Sequence, residues 1–411
     1  MADLTLVPSA VLLADAARRA VVNDTLVVSA RVRLVQPHDP TATPHLLGAD
    51  RLEVRVHGLS DLDDTAWSAL CSVTDDDVTP LVPVLTLVAS QLHADVVIDG
   101  AVCPVAALGA TKATVQYQAW WGWPAVKVRS ARDAEPQSLT GGRGLFFSRG
   151  LDSTAVLLAA TSAGDGPSHL VGLDWVDPPF DIAEHADVWR ATSSAAAEWG
   201  LPLVRVSTNA RTFIDPLVSW DFSHVPVLAA TALALTGVVD RVGLASTHPA
   251  GHQVPFASHP DLDPLWSSAS VSIDHRLDVP SGRTARAGVL ASSPWAARWL
   301  AVCWEQSAEG NCGHCRKCLI TMCSLWLVGA AEILANRFGG DPDPGTIAAL
   351  ASATPLAGRG VTAEVARQLR SAAEGDTLGG LSVRKSREDR RLAAALADAW
   401  DLVLHRGVTL R

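Results

Sequence analysis

Apolar positions along the chain follow two regimes that change near residue 145. Before it, "TLVVSARVRLV" and "RLEVRVHGL" alternate apolar and polar residues, as strands with one buried face do, and Val105 to Trp121 reads as a helix leading into "PAVKVRS". "SARDAEPQSLTGGRG", residues 130–144, has the composition of a linker. After it, the short apolar runs "LFF", "HLVGLD", "LPLVRVS" and "DRVGLAS" alternate with helical stretches from Asp152 to Ala163, Ile182 to Trp199 and Val225 to Thr236. Strands that alternate with helices predict right-handed βαβ units and an α/β fold, a doubly wound parallel sheet covered on both faces. Beyond Cys318, "CLITMCSLWLVGAAEILANRF" and "RRLAAALADAWDLVLH" predict helices. The expected organisation is an N-terminal α+β domain over 1–140 with a docking role, an α/β domain over 141–302, a cysteine-rich element over 303–330 and a helical region over 331–411.

With 411 residues, 48% of them hydrophobic, the chain can bury a substantial core. A net charge of -10 argues against a protein that lives by gripping nucleic-acid phosphates. The one dense basic stretch, "RKSREDRR", is broken by Glu388 and Asp389 and reads as a solvated helix start. No apolar run is long enough to span a membrane, and the first twenty residues lack the charged head and clean apolar stretch of a secretory signal, so a cytoplasmic protein is expected. Fourteen tryptophans stand against one tyrosine and seven phenylalanines, and indoles offer flat faces suited to heterocycles. Cys71 and Cys103 read as small buried hydrophobes, and the acidic run Asp75, Asp76, Asp77 as a loop.

In a doubly wound sheet ligands bind at the carboxyl ends of the strands, here Ser148, Asp174, Ser207 and the group Ser246, Thr247, His248. The first of these ends is the turn "SRGLDS". A polar, glycine-containing turn between a buried strand and a helix presents backbone N–H groups and the positive end of a helix dipole, an anion site. Ser148 and Ser153 add hydroxyl donors, and Asp152 can hold magnesium or cap the helix; equally, Ser, Gly and Asp are ordinary turn residues. The loop from Ser246 to Ser268 carries His248, His252, His259, Asp261, Asp263 and Trp266, a candidate site for substrate.

"CWEQSAEGNCGHCRKC" places Cys303, Cys312, Cys315 and Cys318 in a C-x8-C-x2-C-x2-C array. Four thiolates so spaced can converge on one tetrahedral ion and satisfy a structural zinc. Disulfides fit a cytoplasmic protein less well, and a redox C-x-x-C needs no second pair. Cys323 reads as a buried bystander, while Trp299 and Trp304 flank Cys303.

"SRGLDS" resembles the SGGxDS loop of the PP-loop N-type ATP pyrophosphatases, and followed by the cysteine array it is similar to the 7-cyano-7-deazaguanine synthase (QueC-like) branch. The similarity covers roughly residues 144–330. It implies an adenine nucleotide alpha hydrolase-like fold with a C-terminal helical, zinc-containing region, and it carries Ser148, Gly150, Asp152 and Ser153 onto ATP and magnesium binding. Arg149 stands where the family has its first glycine and is expected with Leu151, at the variable position, among the ATP-binding residues; its guanidinium can donate to a phosphate, the alternative being a surface arginine. The branch's D-Y-G-Q stretch reads "LDWVDPPFD" here, and its V-P-G-R-N stretch reads "HVPVLAA".

The implied reaction is ATP-dependent ligation of EC 6.3 type. ATP adenylates 7-carboxy-7-deazaguanine, pyrophosphate leaves, and ammonia or an amine displaces AMP to give an amide, which after ammonia a second activation by ATP can carry on to the nitrile. The residues expected at the acyl substrate are Asp174, His248, His259, Asp261, Asp263 and Trp266. Enlarged relatives of this type occur in anti-phage (CBASS-type) operons, which implies an antiviral role and a partner protein as acyl acceptor; a homodimer is the plainer use of the flanking regions. No glutaminase-like segment supplies the nitrogen. Two other classes compete, a tRNA-thiolating PP-loop enzyme and a non-catalytic nucleotide-sensing module.

Overall fold

A computed structural model describes residues 10–35, 49–137, 141–174, 186–248, 253–276, 282–303, 310–350, 359–375 and 386–406. Ten strands form one sheet: β1 (Val11–Val22), β2 (Thr25–Val35), β3 (Arg51–His57), β4 (Asp95–Val102), β5 (Val128–Asp133), β6 (Arg143–Phe146), β7 (His169–Asp174), β8 (Leu203–Thr208), β9 (Arg241–Ala245) and β10 (Ser272–Arg276). Their order is β10-β9-β6-β7-β8-β3-β2-β1-β4-β5. The α/β class and the mostly parallel sheet expected from the apolar runs are present. Within the second half, β10-β9-β6-β7-β8 is all parallel. Counted along the chain this is the order 3-2-1-4-5 of a doubly wound sheet.

Side chains of the central strands alternate between two cores. Leu145 and Leu170 face one, Phe146 and Val171 the other, which is why these strands read as apolar throughout. Helix Trp220–Leu233 covers the first face, and helices Leu151–Ser162 and Ala186–Ala197 cover the second. The sheet also crosses the expected boundary near residue 140. β3 pairs antiparallel with β8, so the N-terminal strands extend the same sheet and share its first core.

Three strands were not visible in the apolar pattern. β1 carries Asp15, Arg18 and Arg19 and has a register shift between Asp15 and Arg18; β4 carries Asp95 and Asp99; β10 is only five residues long, "SIDHR". The stretch expected as one helix after Cys318 is two, Arg316–Leu327 and Ala331–Phe338, parted at Gly329 with φ +74. In the basic stretch, Ser386 and Asp389 exchange hydrogen bonds at the start of helix Arg387–Arg406, a capping arrangement on exposed residues. No helix among the described residues is long and apolar enough to cross a membrane.

Candidate functional site

The chain leaves β6 for β7 on one side and leaves β9 for β10 on the other, so a crevice opens between the carboxyl ends of β6 and β9. "SRGLDS" stands on one side of it and Ser246 on the other. A buried arginine from helix Arg283–Leu290 joins them. Arg286 donates to Asp152 Oδ1, to the Ser246 carbonyl and to Ser246 Oγ, each at 2.7 Å. Arg283 lies 3.6 Å from Asp152 Oδ2 and donates to Thr321 Oγ1 at 2.6 Å, which ties the loop to the helix that follows the cysteines. Burial raises the Asp152 pKa, but Arg283, Arg286 and, more weakly, Lys317 outweigh it and hold the carboxyl below its usual range. Three cations thus face one carboxylate in a chain of net charge -10.

Within the loop the hydroxyls are loosely held. Ser148 Oγ accepts from Gly150 N at 3.4 Å, and Ser153 Oγ accepts from Ser148 N at 3.4 Å and donates to the Gly150 carbonyl at 3.3 Å. The N-cap of helix Leu151–Ser162 is Gly150, without a side-chain cap, so first-turn N–H groups have no intrahelical acceptor. Leu151 packs into the second core and fixes the start of that helix. A Cβ at Gly150 would come within 3.0 Å of Ser148 Oγ, so glycine fits there.

Arg149 has φ +57, the left-handed conformation that glycine adopts freely and other residues adopt at a cost of roughly 1–2 kcal/mol. The backbone shape expected of a glycine is therefore kept by an arginine. Its side chain is 3% exposed, its Nε is sealed without a partner, and no described residue accepts a hydrogen bond from it. Burial, and then repulsion from Arg337, pull its pKa down to about 10.

The sulfurs of Cys303, Cys312, Cys315 and Cys318 all lie within 4.8 Å of one another, with Cys312 and Cys318 3.8 Å apart. That is the edge of a tetrahedron with metal–sulfur bonds of about 2.3 Å, so the donor set fits zinc. Backbone N–H groups of Cys315 and Cys318 point at the sulfurs of Cys312 and Cys315, at 3.2 and 3.5 Å, as they do around metal-bound thiolates. Cys315 and then burial push the Cys318 thiol up, and burial pushes the Cys312 thiol up. Cys323 is buried, with Trp400 Nε1 donating to it at 3.5 Å, as a bystander would be. Cys103 is buried, but Cys71 is exposed in the last turn of helix Asp64–Ser72, which corrects the expectation that both are core.

The remaining expected residues separate. Asp263 is fully buried and satisfied, accepting from His259 N at 2.9 Å, Ser258 Oγ at 3.1 Å and His275 Nδ1 at 2.6 Å. Trp266, 1% exposed, packs 6.2 Å from the Tyr117 ring and has no free face. The His259 ring meets Trp120 edge-on at 4.7 Å, and Asp261, exposed, leans toward its Nδ1 at 3.7 Å. Asp174 is buried against Arg205, whose Nε donates to it at 2.9 Å. Ser207 is taken by His57 Nε2 at 2.7 Å. Of this group only His248 stands beside the crevice: Arg286 is close enough to add to the burial that lowers its pKa, and its Nε2 is sealed without a partner. Trp299 is turned away, donating to Glu198 at 2.7 Å. His252, Trp304 and most of "LDWVDPPFD" lie outside the described residues.

Arg283, Arg286, Lys317 and Arg337 are the residues that the sequence reading missed. The signal for the first two was the pair in "SGRTARAG", three apart on one helix face, and for Lys317 its place inside "CRKC". Neither a protein-family model, nor a curated protein, nor a solved structure matches the chain.

Proposed function

We propose that this protein is an ATP-dependent ligase that adenylates a carboxylate and passes the acyl group to nitrogen. The observation that carries the reading is the cationic group Arg283, Arg286 and Lys317 around Asp152, facing an uncapped helix start at the switch point of a doubly wound sheet. Such a place suits a polyphosphate held by backbone N–H groups on one side and by guanidinium and ammonium groups on the other. The substrate carboxylate oxygen attacks the α phosphorus, the bond to the β-phosphate oxygen breaks, and pyrophosphate leaves. An amine nitrogen then attacks the acyl carbon, AMP leaves with the bonding pair, and the nitrogen gives up a proton. Positioning and charge stabilisation suffice for both steps, so no protein nucleophile is required.

Magnesium fits the site as an ion held mainly by the nucleotide, because the loop offers a single carboxylate, Asp152, with one oxygen engaged by Arg286. When bound it would offset phosphate charge. Zinc on the four cysteines would be structural, fixing helix Arg316–Leu327 and with it Lys317 and the Thr321 partner of Arg283. On the resemblance, the acid is 7-carboxy-7-deazaguanine, and the nitrogen comes from ammonia or from an amine of a partner protein, as an antiviral conjugation would need. The acidic balance of the chain weighs against a tRNA substrate.

The test is to supply ATP, 7-carboxy-7-deazaguanine and either ammonia or proteins encoded beside the gene, and to follow phosphate products and masses. AMP, pyrophosphate and a mass gain on nitrogen are expected. ADP and phosphate, or ATP bound and never split, would overturn the ligase reading in favour of a different hydrolase or a sensor.

A further inference from the structure

The amino ends of β6 and β9, opposite the crevice, border a second polar hollow of about 150 Å³. Arg143 of β6, Arg241 of β9, Arg276 and Asp274 of β10, and Asp165 in the turn before β7 line it. The three arginines thus come from three adjacent strands. Arg276 lies across Gly243, where a Cβ would come within 3.2 Å of its Cγ and 3.5 Å of its Cδ, so glycine leaves the room that its stem needs. Its side chain is only 18% exposed, and its head reaches to 3.8 Å from Asp165 Oδ2. Asp165 also pairs with Arg143, whose backbone is clamped on both sides by Ser168: the Ser168 N–H donates to the Arg143 carbonyl, and the Arg143 N–H to Ser168 Oγ, each at 2.8 Å. Arg241 Nε faces Asp274 Oδ2 at 3.2 Å. Three guanidiniums therefore share two carboxylates, an excess of positive charge in a chain of net charge -10. Ion pairs open to water are weak and exchange readily for other partners.

We infer that this hollow binds inorganic phosphate in its protonated forms, hydrogen phosphate and dihydrogen phosphate. The carboxylates decide which oxyanion fits. Sulfate presents acceptors alone, which suit the arginines and are repelled by Asp165 and Asp274. Phosphate near neutral pH keeps at least one hydrogen, so it can accept from guanidinium N–H groups and donate its O–H to a carboxylate at the same time. Asp274 meets Arg241 through one oxygen, Oδ2, and is the better placed of the two to accept that hydrogen, because Asp165 has Arg143 at one oxygen and Arg276 near the other. A site that leaves the wrong ligand facing an unpaired acceptor discriminates strongly against it. A water needs about 10–15 Å³ of such space, so the hollow has room for phosphate and a few waters. The inference goes beyond the ligase reading and does not rest on it, since none of these residues belongs to the crevice.

Isothermal titration of the full-length, metal-loaded protein at neutral pH tests it, with inorganic phosphate, sulfate and glycine as the three probes. Wild type should bind phosphate at least about tenfold more tightly than sulfate. Arg241→Gln and Arg276→Met should each weaken phosphate at least about tenfold, because each removes charge-assisted donors. Asp274→Asn should tighten sulfate and shrink the preference for phosphate several-fold, a change of sign that a merely structural ion pair would not produce. Arg241 and Asp274 have side chains 59% and 35% exposed, so thermal melts of their variants should stay close to wild type. If Arg276→Met does not fold, Arg241→Gln and Asp274→Asn decide the question. Phosphate held on the "SRGLDS" loop instead would ignore all three substitutions, and that result would overturn the inference. So would sulfate bound as tightly as phosphate by wild type, or glycine bound and phosphate not, since a zwitterion would then be what the mixed charges serve. No readout depends on the splitting of ATP, so the hollow and the ligase reading stand or fall separately.

Discussion

The loops that follow β6 and β9 are both polar, and they solve the problem of buried polarity in opposite ways. After β9, Asp263 is sealed in but accepts from His259, Ser258 and His275, so its charge is used up inside the protein. After β6, Arg149 is sealed in with no acceptor among the described residues, and Arg283, Arg286 and Lys317 gather at Asp152. Buried polar groups are normally satisfied, so Asp263 with its three donors reads as architecture and Arg149 as a place for a ligand; His248 Nε2, sealed without a partner at the crevice, belongs with the second kind. The kinds of residue, His and Asp in one loop and Ser, Arg and Asp in the other, do not make that distinction. The acceptors do.

The largest effect should come from outside both loops. Cys315→Ser removes a donor from the four-sulfur centre, and structural zinc contributes roughly 10–16 kcal/mol of apparent binding energy to folding in small domains. Metal analysis of the wild type should give one zinc per chain, and the variant should lose the metal and the cooperative melt. A well-folded, metal-free variant would show the centre to be dispensable.

Next in size are two aspartates that set the loops against each other. Asp263→Ala strands His275 Nδ1, Ser258 Oγ and the His259 N–H in the core and should cost about 3–5 kcal/mol of stability. Asp152→Ala takes a partner from buried Arg286, which keeps its two bonds to Ser246, and should cost less stability than Asp263→Ala while abolishing pyrophosphate release. If Asp152→Ala unfolds the protein, or if Asp263→Ala spares stability and removes only activity, the assignment of architecture and site is the wrong way round. Arg286→Lys is a smaller change at the same crevice. It keeps the charge but not the fork that reaches both Asp152 and Ser246, and the loss of charge-assisted bonds worth about 1.5–3 kcal/mol should lower kcat/KM for pyrophosphate release by roughly ten- to a hundredfold.

How much of this could be read from the chain follows from the same distinction. The apolar runs of β6 to β9 were legible because both of their faces are buried, and the cysteine centre because its ligands are close in sequence. β1, β4 and β10 were hidden by the charges they carry. The pairing of β3 with β8 joins residues about 150 apart, and no local pattern encodes it. "SRGLDS" was legible as a turn, but its meaning depends on Arg283, Arg286 and Arg337, which arrive from two later helices. In the loop after β9, the sequence shows His259, Asp263 and Trp266 as a set of functional residue types, and only the fold shows that two of them are consumed by packing. Spacing along a chain reveals which groups can meet; it does not reveal which are already satisfied.

The smallest effect expected is a pH dependence set at the seam between the two halves of the sheet. His57 on β3 shares a hydrogen bond of 2.7 Å between Nε2 and Ser207 Oγ on β8. Burial, and then Arg205 and Arg55, push its pKa down to about 4 from 6.5. The folded protein therefore holds this imidazole neutral where the unfolded chain protonates it, so the unfolded state binds more protons between those two values. Stability should be full above pH 6.5, fall as the pH drops toward about 4, and level off below that as far as His57 alone is concerned. Allowing for partial exposure, the loss should be on the order of 2 kcal/mol. Denaturant melts at pH 7 and pH 4.5 measure it, and His57→Gln should flatten the difference because its amide keeps a donor and carries no titrating charge. The cysteine centre also loosens at low pH, as its thiolates take up protons, but that loss remains in His57→Gln and vanishes from the difference between the two proteins. An undiminished slope in His57→Gln would place the acid sensitivity elsewhere and show that the seam does not depend on a neutral histidine.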